Sequence, residues 1–164
     1  MRKLGKVNKI IIHHTAGNDT ADVKAIRRQH INKNRWSDIG YHFLIHRIPM
    51  QKEFVTSAGR STNFEGAHTR GANSNSIGVS VAGNYQRNQL PIEARKELIA
   101  TLKKLVKEYK LKANQISYHQ KESPSLCPGK YIIADFKNIV NDVFKTSQDV
   151  AVNEKKESEN NEAV

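Results

Sequence analysis

Histidine and cysteine side chains in two segments of this chain have the chemistry to bind a metal ion together. His13 and His14 are adjacent in "KIIIHHTAG" (residues 9–17), and "SYHQKESPSLCPGK" (residues 117–130) places His119 eight residues before Cys127. Imidazole and thiolate are usual ligands of zinc in proteins. Two imidazoles and one thiolate would leave a fourth position for water, which is typical of catalytic zinc, whereas structural zinc is usually held by four protein ligands with CxxC spacings.

The sequence leaves open which of the two adjacent histidines faces such a site, because neighbouring side chains of a strand point to opposite faces. His13 shares a face with Ile11, and His14 shares a face with Ile10 and Ile12. The alternative interpretation of the pair is one hydrogen-bonded histidine in the core and one histidine on the surface.

Cys127 is the only cysteine, so an internal disulfide is excluded. Pro128 biases the backbone of Cys127 toward an extended conformation and suits the first turn of a following helix. The positive end of that helix would favour the thiolate form of the cysteine. The alternative interpretation is a reduced and inert thiol.

The hydrophobic pattern predicts the strands that must position these residues. β-branched residues without helical spacing predict a buried strand over residues 8–14, and alternation from Tyr41 predicts a hairpin that turns at Pro49 and returns through "KEFVT". A second buried strand is expected over residues 76–84, and a short one over "QISYH" (residues 115–119).

Three helices are expected between and after these strands. The first follows "HHTAG", with Asp19 or Thr20 as its N-cap and Asp22 in its first turn. The second is predicted from Pro91 to about Lys110, because leucines and a tyrosine recur at the spacing of one buried helix face. The apolar side of the third carries Ile132, Phe136, Ile139 and Val143.

Strands and helices in this mixed order predict an α/β (α+β) fold, with a single domain built on a central mixed β-sheet flanked by helices. We expect this domain to span residues 1–145. Residues 146–164 lack aromatic side chains and sustained periodicity, so a disordered polar tail is expected there.

The chain of 164 residues has a formal charge of +11, to which the last 19 residues contribute −3. The first 145 residues therefore carry +14, which favours contact with polyanions such as nucleic acid, anionic lipid or bacterial wall polymers. No interleaved aromatic motif accompanies the basic residues, so no specific nucleic-acid partner is expected.

No apolar run approaches the 18 residues of a membrane span, and the three isoleucines after the basic start are too few for a signal-peptide core. We therefore expect a protein without a transmembrane segment that is made and left in the cytoplasm. We also expect it to be a monomer.

Four segments occur in the chain in the order "IIIHHTAG", "GYHFLIHR", "GAHTRGANSNSIGVSVAGNY" and "YHQKESPSLCPGK". Together they resemble the type 2 N-acetylmuramoyl-L-alanine amidases, a superfamily that includes small phage lysozyme amidases and peptidoglycan recognition proteins. The resemblance spans roughly residues 8–144. It implies a zinc-dependent amidase that cuts the amide between N-acetylmuramic acid and the first L-alanine of peptidoglycan.

The resemblance also implies roles for particular residues. The positions that match the ligands of a single Zn²⁺ are His13, His119 and Cys127, which leaves His14 either as a residue that supports the metal ligands or in a structural role. Tyr41 matches a catalytic tyrosine near the metal. The positions that match the substrate cleft are His68, Asn73 and Asn75. The remaining histidines, expected to be packing or surface residues, are His30, His42 and His46.

Ser125 marks a departure from the phage members of the superfamily. They carry a lysine two residues before the zinc cysteine, where it helps to polarise the attacked carbonyl. Other catalytic members carry a small hydroxyl residue there, so the resemblance implies that Ser125 is the catalytic residue at this position, as a weaker electrostatic helper than lysine. Lys121 and Lys130 are candidates to compensate for the missing lysine.

The sequence favours a phage or prophage endolysin but leaves three alternatives open. The first is a non-catalytic module that binds peptidoglycan, although members that only bind commonly lack the zinc cysteine. The second is a cytosolic amidase that recycles wall fragments. The third, a basic nucleic-acid-binding protein or metal nuclease, is disfavoured because the basic residues are scattered along helices. An endolysin would reach the wall only after release from the cytoplasm, and its basic body would help it to bind anionic wall polymers.

Overall fold

The computed structural model describes residues 1–146 and contains one mixed β-sheet with helices on both sides. Its strands are β1 (Lys9–His14), β2 (Phe43–Arg47), β3 (Phe54–Ala58), β4 (Ser76–Val81) and β5 (Ile116–Tyr118). They lie in the order β3-β2-β4-β1-β5. β1 is parallel to β4 and β5, β2 is parallel to β4, and only the β2–β3 hairpin is antiparallel. The predicted fold class and hairpin are therefore confirmed.

The two central strands are buried on both faces, as their sequences predict. Ile10, Ile11 and Ile12 of β1 are 0% exposed, and every residue of β4 is buried. Continuous apolar runs of this kind are typical of parallel strands that are covered by helices on both sides. β4 ends at Val81 rather than at residue 84, because the chain turns away at Gly83 with a positive φ of 132°.

The helices are α1 (Val23–Asn34), α2 (Ile92–Tyr109), the single turn α3 (His119–Glu122) and α4 (Lys130–Phe144). α2 and α4 pack against each other and form the main core with one face of the sheet. A smaller cluster on α1 and the opposite face of the sheet contains Ile26, Ile39, Leu44 and Ala82. The sheet therefore separates a large apolar core from a smaller one.

The helix boundaries correct two of the predictions. Asp22 is the N-cap of α1, since its side chain accepts a hydrogen bond from the N–H of Ala25, so neither Asp19 nor Thr20 has this role. Asp19 instead forms a salt bridge with Arg47. α4 begins at Lys130, so Pro128 precedes the helix instead of lying in its first turn.

The predicted disordered tail falls almost wholly on residues 147–164, which lie outside the described residues. Within residues 1–146, no helix combines the length and the apolar composition that crossing a membrane requires.

Candidate functional site

The side chains of His13, His119 and Cys127 converge at one edge of the sheet. His13 lies at the carboxyl end of β1, and His119 directly follows β5, so the two parallel strands end side by side. The loop after α3 brings Cys127 to the same edge. The potential ligand atoms of the three residues all lie within 4.8 Å of one another.

The geometry of this cluster suits a tetrahedral metal ion. Cys127 Sγ lies 3.5 Å from His13 Nδ1, and the imidazole centroids of His13 and His119 are 4.8 Å apart. Two ligand atoms that bind one zinc ion at about 2.0–2.3 Å in tetrahedral geometry are separated by roughly 3.5 Å. The three side chains therefore fit a single zinc ion with a fourth position left for water or substrate.

The structure decides which of the two adjacent histidines faces this cluster. His13 shares a sheet face with Ile11 and is only 1% exposed. His14 points to the opposite face, where its Nδ1 accepts a hydrogen bond of 3.1 Å from the N–H of Tyr85. The backbone N–H of His14 donates to Cys127 Sγ at 3.3 Å. His14 thus supports the cysteine through its main chain while its ring packs elsewhere.

The imidazoles of the cluster are neutral at pH 7. Burial, followed by the neighbouring His68 and His119, holds the pKa of His13 well below its usual value. Burial also lowers the pKa of His119, and burial together with His119 lowers the pKa of His14 to about 4. Because a metal binds only deprotonated imidazole nitrogen, the environment of these rings favours metal binding.

The expected stabilisation of the Cys127 thiolate by a helix end is wrong for the metal-free protein. Burial raises the pKa of Cys127 to about 12, and the hydrogen bond from the His14 N–H offsets only part of this effect. The first residue of α4 is Lys130, three positions further along the chain. A thiol that coordinates a metal ion loses its proton outright, so thiolate formation here would require the cation itself.

Tyr41 forms part of the wall beside the cluster. Its ring lies 5.3 Å from the ring of His13 and 5.3 Å from that of His30, centroid to centroid. Burial, and secondarily Cys127, raises the pKa of Tyr41, so its hydroxyl keeps its proton and can donate a hydrogen bond. Ser80 lies on the adjacent strand in register with His13, and its buried hydroxyl, directed at Tyr41, offsets part of this rise in the pKa of Tyr41.

His30 and Arg60 hold the loop that carries Tyr41. His30 Nδ1 accepts a hydrogen bond of 2.9 Å from the N–H of Gly40. The guanidinium of Arg60, which is 6% exposed, donates to the carbonyl oxygens of Ile39, Asp38 and Glu65. The backbone N–H of Arg60 also donates to the carbonyl of Tyr41 at 2.9 Å. His30 is thus a packing residue as expected, whereas Arg60 was not singled out from the sequence.

His68, which matches a substrate-cleft position, is buried against a metal-ligand candidate. It is 6% exposed, and its Nδ1 lies 3.0 Å from Nε2 of His13. Burial lowers the pKa of His68 to about 3, and His42 adds to this effect. Only a small edge of the His68 ring reaches the cleft, and both ring nitrogens lie against other side chains inside the protein.

Asn73 and Asn75 differ in their distance from the cluster. The Oδ1 atom of Asn73 accepts hydrogen bonds from the backbone N–H groups of His68 and Thr69, at 3.0 and 2.9 Å. Asn75 lies just before β4, and its carbonyl accepts a hydrogen bond from the N–H of Asn8 just before β1. It is therefore at the opposite end of the central strands from His13, and the structure does not bring its backbone to the cluster.

Ser125 lies in the cleft wall, but its hydroxyl is engaged by the loop itself. Its Oγ accepts a hydrogen bond of 3.0 Å from the N–H of Cys127. The ammonium group of Lys130 lies over the ring of Tyr131, 5.0 Å from its centroid. Neither Lys121 nor Lys130 lines the cleft, so the predicted compensation for the missing lysine has no support in the residue positions.

The cluster opens into a cleft of about 420 Å³. Apolar side chains on its rim include Trp36, 36% exposed, and Leu126, 67% exposed. Neither residue is predicted to line the cleft by the sequence. Trp36 is the only tryptophan of the chain and Leu126 adjoins Cys127, but the cleft position of each depends on loop geometry that periodicity does not encode.

Comparisons with known proteins agree with this architecture. Residues 3–130 match the family described as N-acetylmuramoyl-L-alanine amidase (Amidase_2). The chain is 36% identical over 133 residues to peptidoglycan-recognition protein SC2 of Drosophila simulans, which covers 74% of this chain and 68% of that protein. It is 32% identical over 136 residues to an endolysin of Klebsiella phage KP32, which covers 77% of this chain and 83% of that protein.

A solved structure shares the fold. N-acetylmuramoyl-L-alanine amidase LysC from Clostridium intestinale URNW matches with a TM-score of 0.69 and 26% identity, covering 82% of this chain and 83% of that chain. The fold therefore defines a domain of the amidase and peptidoglycan-recognition class. The chain belongs to the N-acetylmuramoyl-L-alanine amidase family, which confirms the resemblance found in its sequence.

Proposed function

We propose that this protein is a zinc-dependent hydrolase of the amide bond between N-acetylmuramic acid and L-alanine in bacterial peptidoglycan. The observation that carries the proposal is the convergence of His13, His119 and Cys127 beside Tyr41 in one open cleft. A protein that only bound its ligand would have no need for three metal ligands and a proton donor at the same point.

Zinc bound by these three residues would act as a Lewis acid that polarises the scissile carbonyl and makes water a better nucleophile at neutral pH. The contribution of Tyr41 is a hydrogen bond from its protonated hydroxyl to the oxygen on which negative charge develops. Arg60 holds the Tyr41 loop through hydrogen bonds from its guanidinium to backbone carbonyls, and His30 packs against the same loop. The Tyr41 hydroxyl is therefore positioned before substrate arrives.

The open rim suits a substrate that is part of a polymer. Trp36 presents an exposed aromatic face and Leu126 an exposed apolar side chain on the cleft rim. Peptidoglycan presents both sugar rings and a peptide, and apolar ring faces and alanine methyl groups can pack on such side chains. The strongly basic body would add electrostatic attraction to anionic wall polymers.

We further infer that the protein acts on the cell wall as a phage or prophage endolysin. The endolysin of Klebsiella phage KP32 covers most of this chain at 32% identity, which supports this role. Binding of peptidoglycan without cleavage is the second candidate function, because relatives of similar identity are named peptidoglycan-recognition proteins.

Digestion of purified peptidoglycan with and without a chelator, followed by mass analysis of the fragments, separates the two functions. Amidase action releases free stem peptides with new L-alanine amino termini, and the chelator abolishes their release. Binding alone would leave the muropeptides intact while the protein sediments with the wall. Release that persists at full rate after verified metal removal would exclude the metal-dependent mechanism.

A further inference from the structure

The two nitrogens of the His13 ring face different partners. Nδ1 lies 3.5 Å from Cys127 Sγ, on the side where a metal would bind. Nε2 lies 3.0 Å from Nδ1 of His68, a contact between buried side chains 55 residues apart in the chain. A histidine binds a metal through one nitrogen only, and the hydrogen bond made by the other nitrogen fixes which tautomer is present.

Behind His13, a line of contacts continues through His68 to the main chain. His68 Nε2 lies 3.5 Å from Ser76 Oγ, and the Ser76 hydroxyl donates to the carbonyl oxygen of Ala72 at 2.5 Å. Because a carbonyl oxygen can only accept, the single proton of Ser76 is committed to Ala72. Ser76 can therefore only accept from His68, which places a proton on His68 Nε2 and leaves His68 Nδ1 as an acceptor.

With His68 Nδ1 an acceptor, its 3.0 Å contact with His13 Nε2 is a hydrogen bond only if His13 carries its proton on Nε2. The Thr69 hydroxyl, 3.1 Å from His68 Nδ1 and 3.3 Å from His13 Nε2, can accept from His13 and donate to His68 in the same arrangement. The remaining nitrogen of His13, Nδ1, then has a free lone pair directed toward Cys127. The opposite tautomer would place a hydrogen on Nδ1, where the metal must bind, and would require a second proton from Ser76 that is not present. The hydrogen-bond directions thus select the tautomer of His13 that can bind a metal.

The His68 ring is also fixed by packing. A Cβ atom built on Gly78 would approach the His68 ring to 2.6 Å, and one built on Gly66 would collide with the same ring. The two glycines form a slot that admits the ring and leaves little room for rotation. Asn73 holds the backbone at this point by accepting from the N–H groups of His68 and Thr69.

The geometry points to His68 as a positioning residue that fixes the tautomer and ring orientation of His13 through the chain His13–His68–Ser76–Ala72. This inference rests on the proposed binding of zinc by His13. It assigns to His68 a role in metal affinity that exists before substrate binds, in contrast to the substrate contact expected from the sequence.

The test is the zinc dissociation constant of purified variants, measured without substrate by competition with a chromophoric chelator. His68→Leu retains apolar bulk in the slot and removes the acceptor, so we expect zinc affinity to fall about 10–100-fold. His68→Asn places an amide oxygen close to the position of Nδ1 and should restore most of the affinity. Ser76→Ala should weaken zinc binding less than His68→Leu does, because His68 loses only the partner that orients its proton.

His46→Leu is the matched control, because His46 is a half-buried histidine of β2 whose ring contacts Ser57. It should leave the zinc dissociation constant unchanged. Circular dichroism and the urea midpoint of the metal-free variants report whether each variant is folded. If His68→Leu does not fold, Ser76→Ala and His68→Asn decide the question.

Zinc affinity equal to that of the natural sequence in folded His68→Leu, or in Ser76→Ala where His68→Leu is unfolded, would overturn the role of His68. A change in KM alone, with zinc affinity unaltered, would return His68 to a substrate contact. Failure of the natural sequence itself to bind zinc would instead refute the proposed function, so the two failures are distinguishable.

Discussion

The phenol ring of Tyr41 lies 5.3 Å from the imidazole of His13, centroid to centroid, with an angle of 44° between the ring planes. This contact places a protonated hydroxyl-bearing ring next to a metal-ligand candidate without making Tyr41 a ligand. A substitution of Tyr41 can therefore remove the proton donor without removing a metal ligand.

Tyr41→Phe should lower the turnover of peptidoglycan at least tenfold and leave the zinc content near one ion per chain. Loss of one donor to a developing oxyanion typically raises the barrier by about 3 kcal/mol. Release of stem peptides and elemental analysis of the same preparation measure the two quantities. Full activity in this variant would remove Tyr41 from the mechanism.

Cys127→Ser should abolish both zinc binding and wall lysis, because a serine hydroxyl is a far weaker zinc ligand than a thiolate. Ser125→Ala is the matched control. It removes a nearby hydroxyl that accepts the Cys127 N–H at 3.0 Å but leaves the sulfur in place, so zinc should be retained. A serine variant that is active and metal-replete would contradict the ligand assignment.

Zinc should stabilise the folded protein, since the three ligands converge only in the native chain. A ligand at 100 times its dissociation constant adds about 2.7 kcal/mol to the free energy of unfolding. Thermal melts with added zinc and with chelator measure this difference as a shift in Tm. Identical melts in the two conditions, for a chain shown to be folded, would argue against a metal site.

Acidification from pH 7 to pH 5 should destabilise the metal-free protein. Burial lowers the pKa values of His30 and His42 in the folded state. It also lowers the pKa of His14 to about 4 and the pKa of His68 to about 3. Below about pH 6.5 the unfolded chain therefore binds more protons than the folded chain, so the free energy of unfolding falls with falling pH.

His14 and His68 together should contribute a loss on the order of 2–4 kcal/mol over this range, and His30 and His42 add to it in the same direction. Urea denaturation with chelator present measures it. His30→Asn keeps an acceptor for the Gly40 N–H but cannot be protonated, so its stability should depend less steeply on pH. A flat profile for the natural sequence would show that the imidazoles bind protons equally well in the folded and unfolded chains, which would contradict the lowered pKa values.

Arg60→Met should destabilise the protein by about 2–4 kcal/mol, since it leaves three carbonyl oxygens without their buried donor. Arg28→Met is the control, because Arg28 is an exposed residue of α1. The urea midpoint measures the change, and activity per folded molecule shows whether the Tyr41 loop has moved. Equal midpoints for the two variants would exclude a role for Arg60 in holding the loop.

Much of the fold follows from local sequence signals. Isoleucines of β1 and the leucine spacing of α2 predict their elements because burial requires a regular apolar pattern. The motif resemblance predicted that His13, His119 and Cys127 share one site, and these three side chains converge in the structure. The prediction of Asp19 or Thr20 as the N-cap of α1, with Asp22 in the first turn, is wrong, because all three side chains are able to cap a helix and only the backbone shows that Asp22 does so.

Long-range contacts account for what the sequence did not predict. The contact between His68 and His13 depends on a slot formed by Gly66 and Gly78, which come from different segments. The carbonyl oxygens bound by Arg60 likewise come from two loops. No periodicity signals such contacts, because they arise only when separate segments pack together. The raised pKa of Cys127 has the same origin, since burial of the thiol outweighs the hydrogen bond that it accepts from the His14 N–H.

His13 belongs to the first strand of the sheet and Cys127 follows the last one, 114 residues later. During synthesis, the strand carrying His13 leaves the ribosome long before β5, its partner on one side, has been translated. A nascent or prematurely terminated chain that ends before Cys127 lacks one of the three ligands. Under the proposed function, products that end before Cys127 would be harmless to the wall of the cell that makes them, and lytic capacity would arise only in chains that extend past Cys127.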